Sequence, residues 1–318
     1  MKSIFCGLSL ILISISPAAG ESSGKSPVEI LKNAKRVVFL GDSITAACTY
    51  TSNFTTWAEV HHPELEIDWM NLGLASETVS GLSEEGHAGG RFPRPDLHER
   101  LARVLDQTKP DLVFACYGMN CGIYQPLDDA RFAKYRDGIQ WLKTETEAIG
   151  AQIIFLTPPY YDALRRPKND YYAGVLAHYS NWLIEQRRNG WMVIDLNRHM
   201  TQFVTEQREE DPNFTIQPDG IHPNVQGHWI MAQAMISWFG DAQSAKAPSA
   251  EVMLSEAGIP VDVAALISKR TVVLHDAWLT ETKHTRPGVR AGKPMPEAQE
   301  IASDLTKQID QAIERSAP

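Results

Sequence analysis

The chain has little cysteine, no surplus of positive charge and, past its first twenty residues, no long apolar run. Its 318 residues carry 30 Lys and Arg against 39 Asp and Glu, a net charge of -9, and the basic residues are scattered. Nucleic-acid binders neutralise phosphates with a concentrated basic surface, so that partner class is excluded. Nothing beyond the N-terminus approaches the roughly 18 apolar residues that a bilayer span requires, so no membrane span is expected in the mature protein. The 4 cysteines have no neighbouring His or Cys at zinc-site spacing, and no metal is expected. No internal repeat is visible. A hydrophobic content of 43% is enough for one large core with an appendage.

The N-terminus has the order of an export signal. Lys2 precedes the apolar run 8–15, and Ser16, Pro17, Ala18, Ala19 and Gly20 supply the small residues of a cleavage site. Residues 1–20 are therefore expected to be removed and the mature protein to be periplasmic or extracellular. Loss of Cys6 leaves Cys48, Cys116 and Cys121, an odd set that cannot pair completely within one chain. Cys116 sits inside the apolar run "LVFACYG", where a buried thiol is the usual state.

Along the mature chain, apolar runs alternate with longer amphipathic segments. Strands are expected at 36–41, 66–73, 111–118, 152–158 and 191–196, and helices at 97–107, 129–149, 171–189 and 224–239. Continuous apolar strands need cover on both faces, which implies a parallel sheet between helices, a three-layer α/β/α sandwich. In the last helix, Val225, Trp229, Ala232, Ile236 and Phe239 draw one apolar stripe for docking on the sheet. Past residue 240 the composition turns to Ala, Ser and Pro, with helices expected near 251–283 and 296–315. The expected organisation is a sandwich over 28–240 followed by a helical extension over 241–318, in which Trp278 is a core residue and His275 a surface one.

Sites on such folds form beyond the carboxyl ends of the strands, and polar residues collect there. The first strand runs into Gly41, Asp42 and Ser43, the second into "NLGLASETVSG", the third into Gly118 and Asn120, and the fourth into "PPYYD". Following the fifth strand, a long connection leads to "QPDGIHPN", with Asp219 and His222 just before the last helix. A serine hydroxyl becomes nucleophilic when an imidazole takes its proton and a carboxylate holds that imidazole in one tautomer. Ser43, His222 and Asp219 are those residue types. Asn120 is an amide suited to a developing oxyanion.

These blocks resemble the SGNH hydrolases, or GDSL esterases. "GDSIT", "NLGLASETVSG", "YGMNC" and "DGIHP" follow that family's order across nearly the whole sandwich. The resemblance implies a flavodoxin-like sandwich with five parallel strands in the order 2-1-3-4-5, and ester hydrolysis without metal or organic cofactor. It implies Ser43 as nucleophile and oxyanion donor through its own N–H, His222 as base, Asp219 as its orienting acid and Asn120 as side-chain oxyanion donor. Two positions depart from the family pattern. Ser76 stands where the family has its oxyanion glycine; a backbone N–H survives that change, with Gly73 as the alternative donor. Cys121 stands where the family has a second acid. Cys48 and Cys121 both lie close to the proposed site in sequence. Export permits a disulfide between them, weighed against two free thiols.

Substrate contacts are expected from Asp42, Arg91, Arg94, Tyr124 and Tyr160, with His87, Phe92 and Tyr161 also near the crevice. An exported acidic hydrolase without a long apolar lid suits a small acyl group, acetyl above all, on carbohydrate. A lysophospholipase or thioesterase is the alternative enzyme, and a non-catalytic carbohydrate-binding protein on the same scaffold is the alternative of another class.

Overall fold

The structure, a computed structural model, describes residues 27–315. The expected leader lies outside the described residues. Each apolar run becomes a strand that is buried except at its leading end: β1 (Arg36–Gly41), β2 (Asp68–Asn71), β3 (Leu112–Cys116), β4 (Gln152–Leu156) and β5 (Met192–Ile194), with β3 buried throughout. They form one parallel sheet in the order β2-β1-β3-β4-β5, the order that the family resemblance implied. Val38 is in register with Met70 on one side and Val113 on the other, and Ile154 with Phe114 and Met192.

The helices before and within the sandwich are α1 (Pro27–Lys32), α2 (Ser43–Ala46), α3 (Thr49–His61), α4 (Leu101–Thr108), α5 (Asp129–Ala148), α6 (Tyr172–Glu185), α7 (Leu196–Glu210) and α8 (Val225–Trp238). Parallel crossovers are right-handed, so the direction of travel decides the face. From β1 the chain steps outward to β2 through α3, then back across β1 to β3 through α4 and onward through α5 and α6. Thus α3 lies on one face and α4, α5 and α6 on the other. Helix α8 packs on α3, and the core between them is aromatic. Phe39 stacks on Phe114 at 5.1 Å, and Phe54 meets Phe114 at 5.5 Å and Phe239 at 5.4 Å.

Three expectations need correction here. Val225 is 77% exposed; it is the first helical residue, and the α8 stripe reaches the core only from the next turn, with Trp229, Ala232, Ile236 and Phe239 buried. The connection after β5 is mostly the helix α7, capped by the Asp195 carboxylate on the N–H of Arg198 and docked through Leu196, Met200 and Val204. His275 is buried rather than exposed.

Beyond the sandwich come α9 (Ala250–Glu256), α10 (Asp262–Thr282) and α11 (Met295–Glu314). Helix α10 packs on α11, on β2, and on both α3 and α4. Because α3 and α4 cover opposite faces, α10 runs along the flank of β2. An Arg270–Glu59 ion pair joins it to α3, Arg103 Nε donates to the Thr282 carbonyl at 2.8 Å, and His275 Nε2 donates to the Gly73 carbonyl at 3.0 Å. A groove of about 910 Å³ remains between β2, α10 and α11, lined in part by Trp69, Leu274, Trp278 and Ile313 and by none of Ser43, Asp219 or His222.

One polar cluster fixes the segment after β2. Glu77 is fully buried and receives Arg100 through two bonds of 2.6 and 2.8 Å and the Tyr117 hydroxyl at 2.6 Å. Arg100 also donates to the Leu72 carbonyl at 2.7 Å. Burial pushes the Glu77 carboxyl above its ordinary value, while Arg100 and Tyr117 act against that rise. Removing one charge from such a pair strands the other. Glu77→Gln is therefore expected to cost about 3–5 kcal/mol in urea unfolding; a loss below about 1 kcal/mol would mean that the pair is not needed for folding.

Candidate active site

The serine is presented by a turn that tolerates no side chain at its start. A Cβ on Gly41 would lie 2.1 Å from Thr45 Oγ1 and 2.8 Å from the Cys116 carbonyl. Asp42 then caps α2, its carboxylate accepting the Ile44 N–H at 3.0 Å. Ser43 becomes the first helical residue, and its N–H has no intrahelical acceptor.

The candidate base, His222, comes from the turn before α8. Gly220 adopts φ 84°, and a Cβ there would meet Arg166 Cγ at 2.4 Å. In this turn Asp219 Oδ1 accepts the N–H groups of Ile221 and His222 at 2.9 and 2.7 Å, and Oδ2 accepts His222 Nδ1–H at 2.6 Å. His222 Nε2 lies 2.9 Å from Ser43 Oγ. With Nδ1 protonated toward the carboxylate, Nε2 is left to accept the serine proton. Burial tends to raise the Asp219 carboxyl, but the bonds from His222 and Ile221 outweigh it and hold the group below its usual range. It is thus charged wherever the imidazole works. Arg166 Nε braces the turn from outside, donating to the Asp219 carbonyl at 2.6 Å.

Ser76 has φ 70°, a left-handed conformation that glycine favours. Its N–H has no hydrogen-bond partner among the described residues. Gly73 is no alternative donor, because its N–H is spent on Asn71 Oδ1 at 2.9 Å, and Asn71 is itself anchored to the Thr45 carbonyl and Thr51. Asn120 Oδ1 accepts the Tyr124 hydroxyl at 3.1 Å and Nδ2 reaches the Glu77 carbonyl at 3.4 Å, which orients the amide.

Ser43, Ser76, Asn120 and His222 line one crevice of about 500 Å³, and Arg94 and Tyr124 line it with them. The structure does not bring Asp42, Arg91 or Tyr160 to that wall. Asp42 is 3% exposed beneath Ser43, and burial raises its carboxyl to about 6. Arg91 is exposed and bonds the Ala88 carbonyl. Tyr160 joins Arg208 and the buried Asp162, whose N–H holds the Gly220 carbonyl, so it belongs to the support of the histidine turn. Four further lining residues, Glu84, His87, Arg166 and Arg286, are charged or titratable. Of these only His87 was anticipated.

The cysteine bridge is not formed. Cys48, Cys116 and Cys121 are all free and buried. Cys48 Sγ donates to the Ala46 carbonyl on the side facing Asp276 of α10, whereas Cys121 lies against Val79 and Ser80, near Tyr172 and Tyr179. Adjacent strands did not imply adjacent thiols.

A family model described as GDSL-like lipase/acylhydrolase matches residues 39–230. Among solved structures, a gut microbial diltiazem-metabolizing enzyme aligns with TM-score 0.51 and 22% identity over 65% of this chain, which spans about half of that protein, 47%. A catalytic mutant of the acetylxylan esterase Axe2 from Geobacillus stearothermophilus aligns with TM-score 0.51 and 20% identity, over 65% of this chain and 94% of that one. These likenesses concern the fold. No curated protein matches the chain.

Two outcomes follow from this geometry. In Ser76→Gly, relief of about 1–2 kcal/mol of left-handed strain exceeds the roughly 0.5–1 kcal/mol entropic cost of glycine. The variant should be as stable as the parent or slightly more so, and its turnover should stay within about twofold, since a main-chain donor is kept. A tenfold loss, roughly, would assign the role to the hydroxyl instead. The second outcome concerns His228, stacked on Tyr50 with its buried Nδ1 unpartnered among the described residues. Burial, aided by the charge of His222, lowers it to about 4. The unfolded chain takes that proton near pH 6.5 and the folded one only near 4, so this group removes stability as pH falls through that window, by up to about 3 kcal/mol. Asp42 acts in the opposite sense, so the comparison is between variant and parent. His228→Gln should lose less stability than the parent between pH 7 and pH 4; equal losses in urea titrations would reject the assignment.

Proposed function

Because the chain belongs to the GDSL-like lipase/acylhydrolase family, and is on that ground a serine ester hydrolase, we propose that it removes small acyl groups, acetyl above all, from carbohydrate outside the cytoplasm. The observation that carries the substrate reading is the crevice wall. Beside Ser43 and His222 it consists of Ser76, Glu84, His87, Arg94, Asn120, Tyr124, Arg166 and Arg286, with only Ala75 and Ile221 apolar. A long acyl chain needs a continuous apolar surface to leave water. Hydroxyl-rich sugar rings need hydrogen-bonding groups, and this wall supplies them. That argues against a lysophospholipase. The acetylxylan substrate in the printed name of one structural relative agrees with the reading without carrying it.

The proposed chemistry uses two half-reactions. Ser43 Oγ attacks the acyl carbonyl carbon as His222 Nε2 takes its proton, and Asp219 stabilises the imidazolium. Negative charge grows on the carbonyl oxygen, where the N–H groups of Ser43 and Ser76 and the Asn120 amide are the proposed donors. His222 returns the proton to the departing sugar hydroxyl, leaving an acyl-Ser43 ester. Water, deprotonated by the same imidazole, then releases the carboxylic acid and restores Ser43. The aligned Ser43–His222–Asp219 hydrogen bonds support this over a purely binding role.

Assay against acetylated sugars and longer-chain acyl esters tests both levels of the proposal. A fluorophosphonate should label Ser43, and Ser43→Ala should lose turnover while keeping its fold. Asn120→Ala should lower kcat by about 10²- to 10³-fold with little change in KM. Undiminished esterase activity in Ser43→Ala would reject the nucleophile, a pure KM effect in Asn120→Ala would reassign that residue to ground-state binding, and preference for long chains would reject the carbohydrate substrate.

A further inference from the structure

The crevice holds more positive charge than its known groups use. Three guanidinium groups, from Arg94, Arg166 and Arg286, line it against the single carboxylate of Glu84, in a protein whose net charge is -9. Glu84 is engaged by one of them: Arg94 Nε donates to its Oε2 and Arg94 Nη2 to its Oε1, both at 2.6 Å. Of the remaining acids nearby, Asp42 is buried beneath Ser43 and Asp219 is held by His222.

Arg286 and Arg166 thus face the crevice without a carboxylate partner among the described residues. Arg286 sits in the segment between α10 and α11, with its guanidinium over the Phe92 ring at 5.5 Å. Its Nη1 donates to the neighbouring Pro287 carbonyl at 3.1 Å, and its buried Nε has no acceptor among the described residues. Arg166 uses its Nε on the Asp219 carbonyl, which leaves its terminal nitrogens uncommitted. On the same wall, His87 Nδ1 lies 3.4 Å from Glu84 Oε1, and its Nε2 is buried and unpartnered among the described residues. Burial and the charges of Arg94 and Arg286 lower this histidine, and burial lowers Arg286. A guanidinium held partly out of water with one of its own N–H donors unfilled is costly unless something anionic arrives.

We infer that the crevice selects acyl esters of acidic sugars, with Arg286, backed by Arg166, receiving a uronic-acid carboxylate on the alcohol portion of the substrate. This rests on the esterase reading above and narrows it. A guanidinium fork matches a carboxylate in a way that a neutral hydroxymethyl group cannot reproduce. The C-terminal extension accordingly supplies a specificity residue to a site whose nucleophile and base lie in the sandwich.

A matched pair of substrates tests this: methyl glucuronoside and methyl glucoside, each acetylated at its ring hydroxyls, alongside 4-nitrophenyl acetate as a neutral reporter of the catalytic machinery. The parent protein should favour the uronoside in kcat/KM by about 10-fold at low salt, a difference of about 1.4 kcal/mol. That preference should shrink as ionic strength rises. In Arg286→Gln the ratio between the two sugars should fall toward one, mainly through KM, and Arg286→Lys should recover part of it. Equal rates on the two sugars by the parent, together with hydrolysis of 4-nitrophenyl acetate, would overturn the inference and leave the esterase reading standing. A ratio unchanged in Arg286→Gln would overturn the role of Arg286. Failure of the parent on all three esters would overturn both readings.

Discussion

The crevice depends on a carboxylate that never meets solvent. Past the end of β2 the backbone stays bonded to β1 only as far as Leu74, whose N–H meets the Gly41 carbonyl, and the proposed donors around Ser43 come from the segments that depart beyond the strand ends. Glu77 joins them. Its side chain binds Arg100 and Tyr117, Arg100 binds the Leu72 carbonyl, and its own carbonyl receives Asn120. Ser76, with its left-handed backbone, is the residue directly before it. A buried ion pair adds little net stability over a well-packed apolar substitute. Its value here is positional, because a bidentate bond with a third hydrogen bond leaves little freedom in where Ser76 and Asn120 lie.

The fold was legible wherever a local pattern sufficed. Runs such as "RVVFLG" and "LVFACYG" can only be satisfied between two layers, and their number and spacing led to the parallel sheet. Ser43, Asp219 and His222 were legible for a similar reason: each stands at a strand end or a turn with glycine or proline beside it, and the Asp219 turn closes on itself within three residues. Helix α3 was harder. Its sequence, TYTSNFTTWAEVH, is rich in β-branched threonine with low helix propensity, and burial of Thr51, Thr55 and Thr56 overrides that preference. In α7 the apolar stripe is only Leu196, Met200 and Val204, too narrow to stand out in a polar segment.

What stayed hidden is pairing between distant segments. Glu77 and Arg100 are 23 residues apart, and nothing near either one announces the other. Tyr160 had the right residue type at a strand end, but its hydroxyl turns to Arg208 and Asp162. Cys48 and Cys121 sit on neighbouring elements and still face different surroundings, because strand order fixes where backbones run and leaves side-chain direction free. Arg286 comes from a segment outside the four-block pattern, more than sixty residues past His222, where no motif marks a contribution to the crevice.

The two borders of the sheet are protected in different ways. At one, β5 is only three residues long. At the other, α10 lies along β2 and its His275 is locked to the Gly73 carbonyl. An open strand border is a template on which a second chain can add its own strand. If proteolysis or truncation freed α10, the border beside β2 would be uncovered together with apolar Trp69 and Met70. The shortened protein would then tend to self-associate, so the tail also acts as a built-in guard against aggregation.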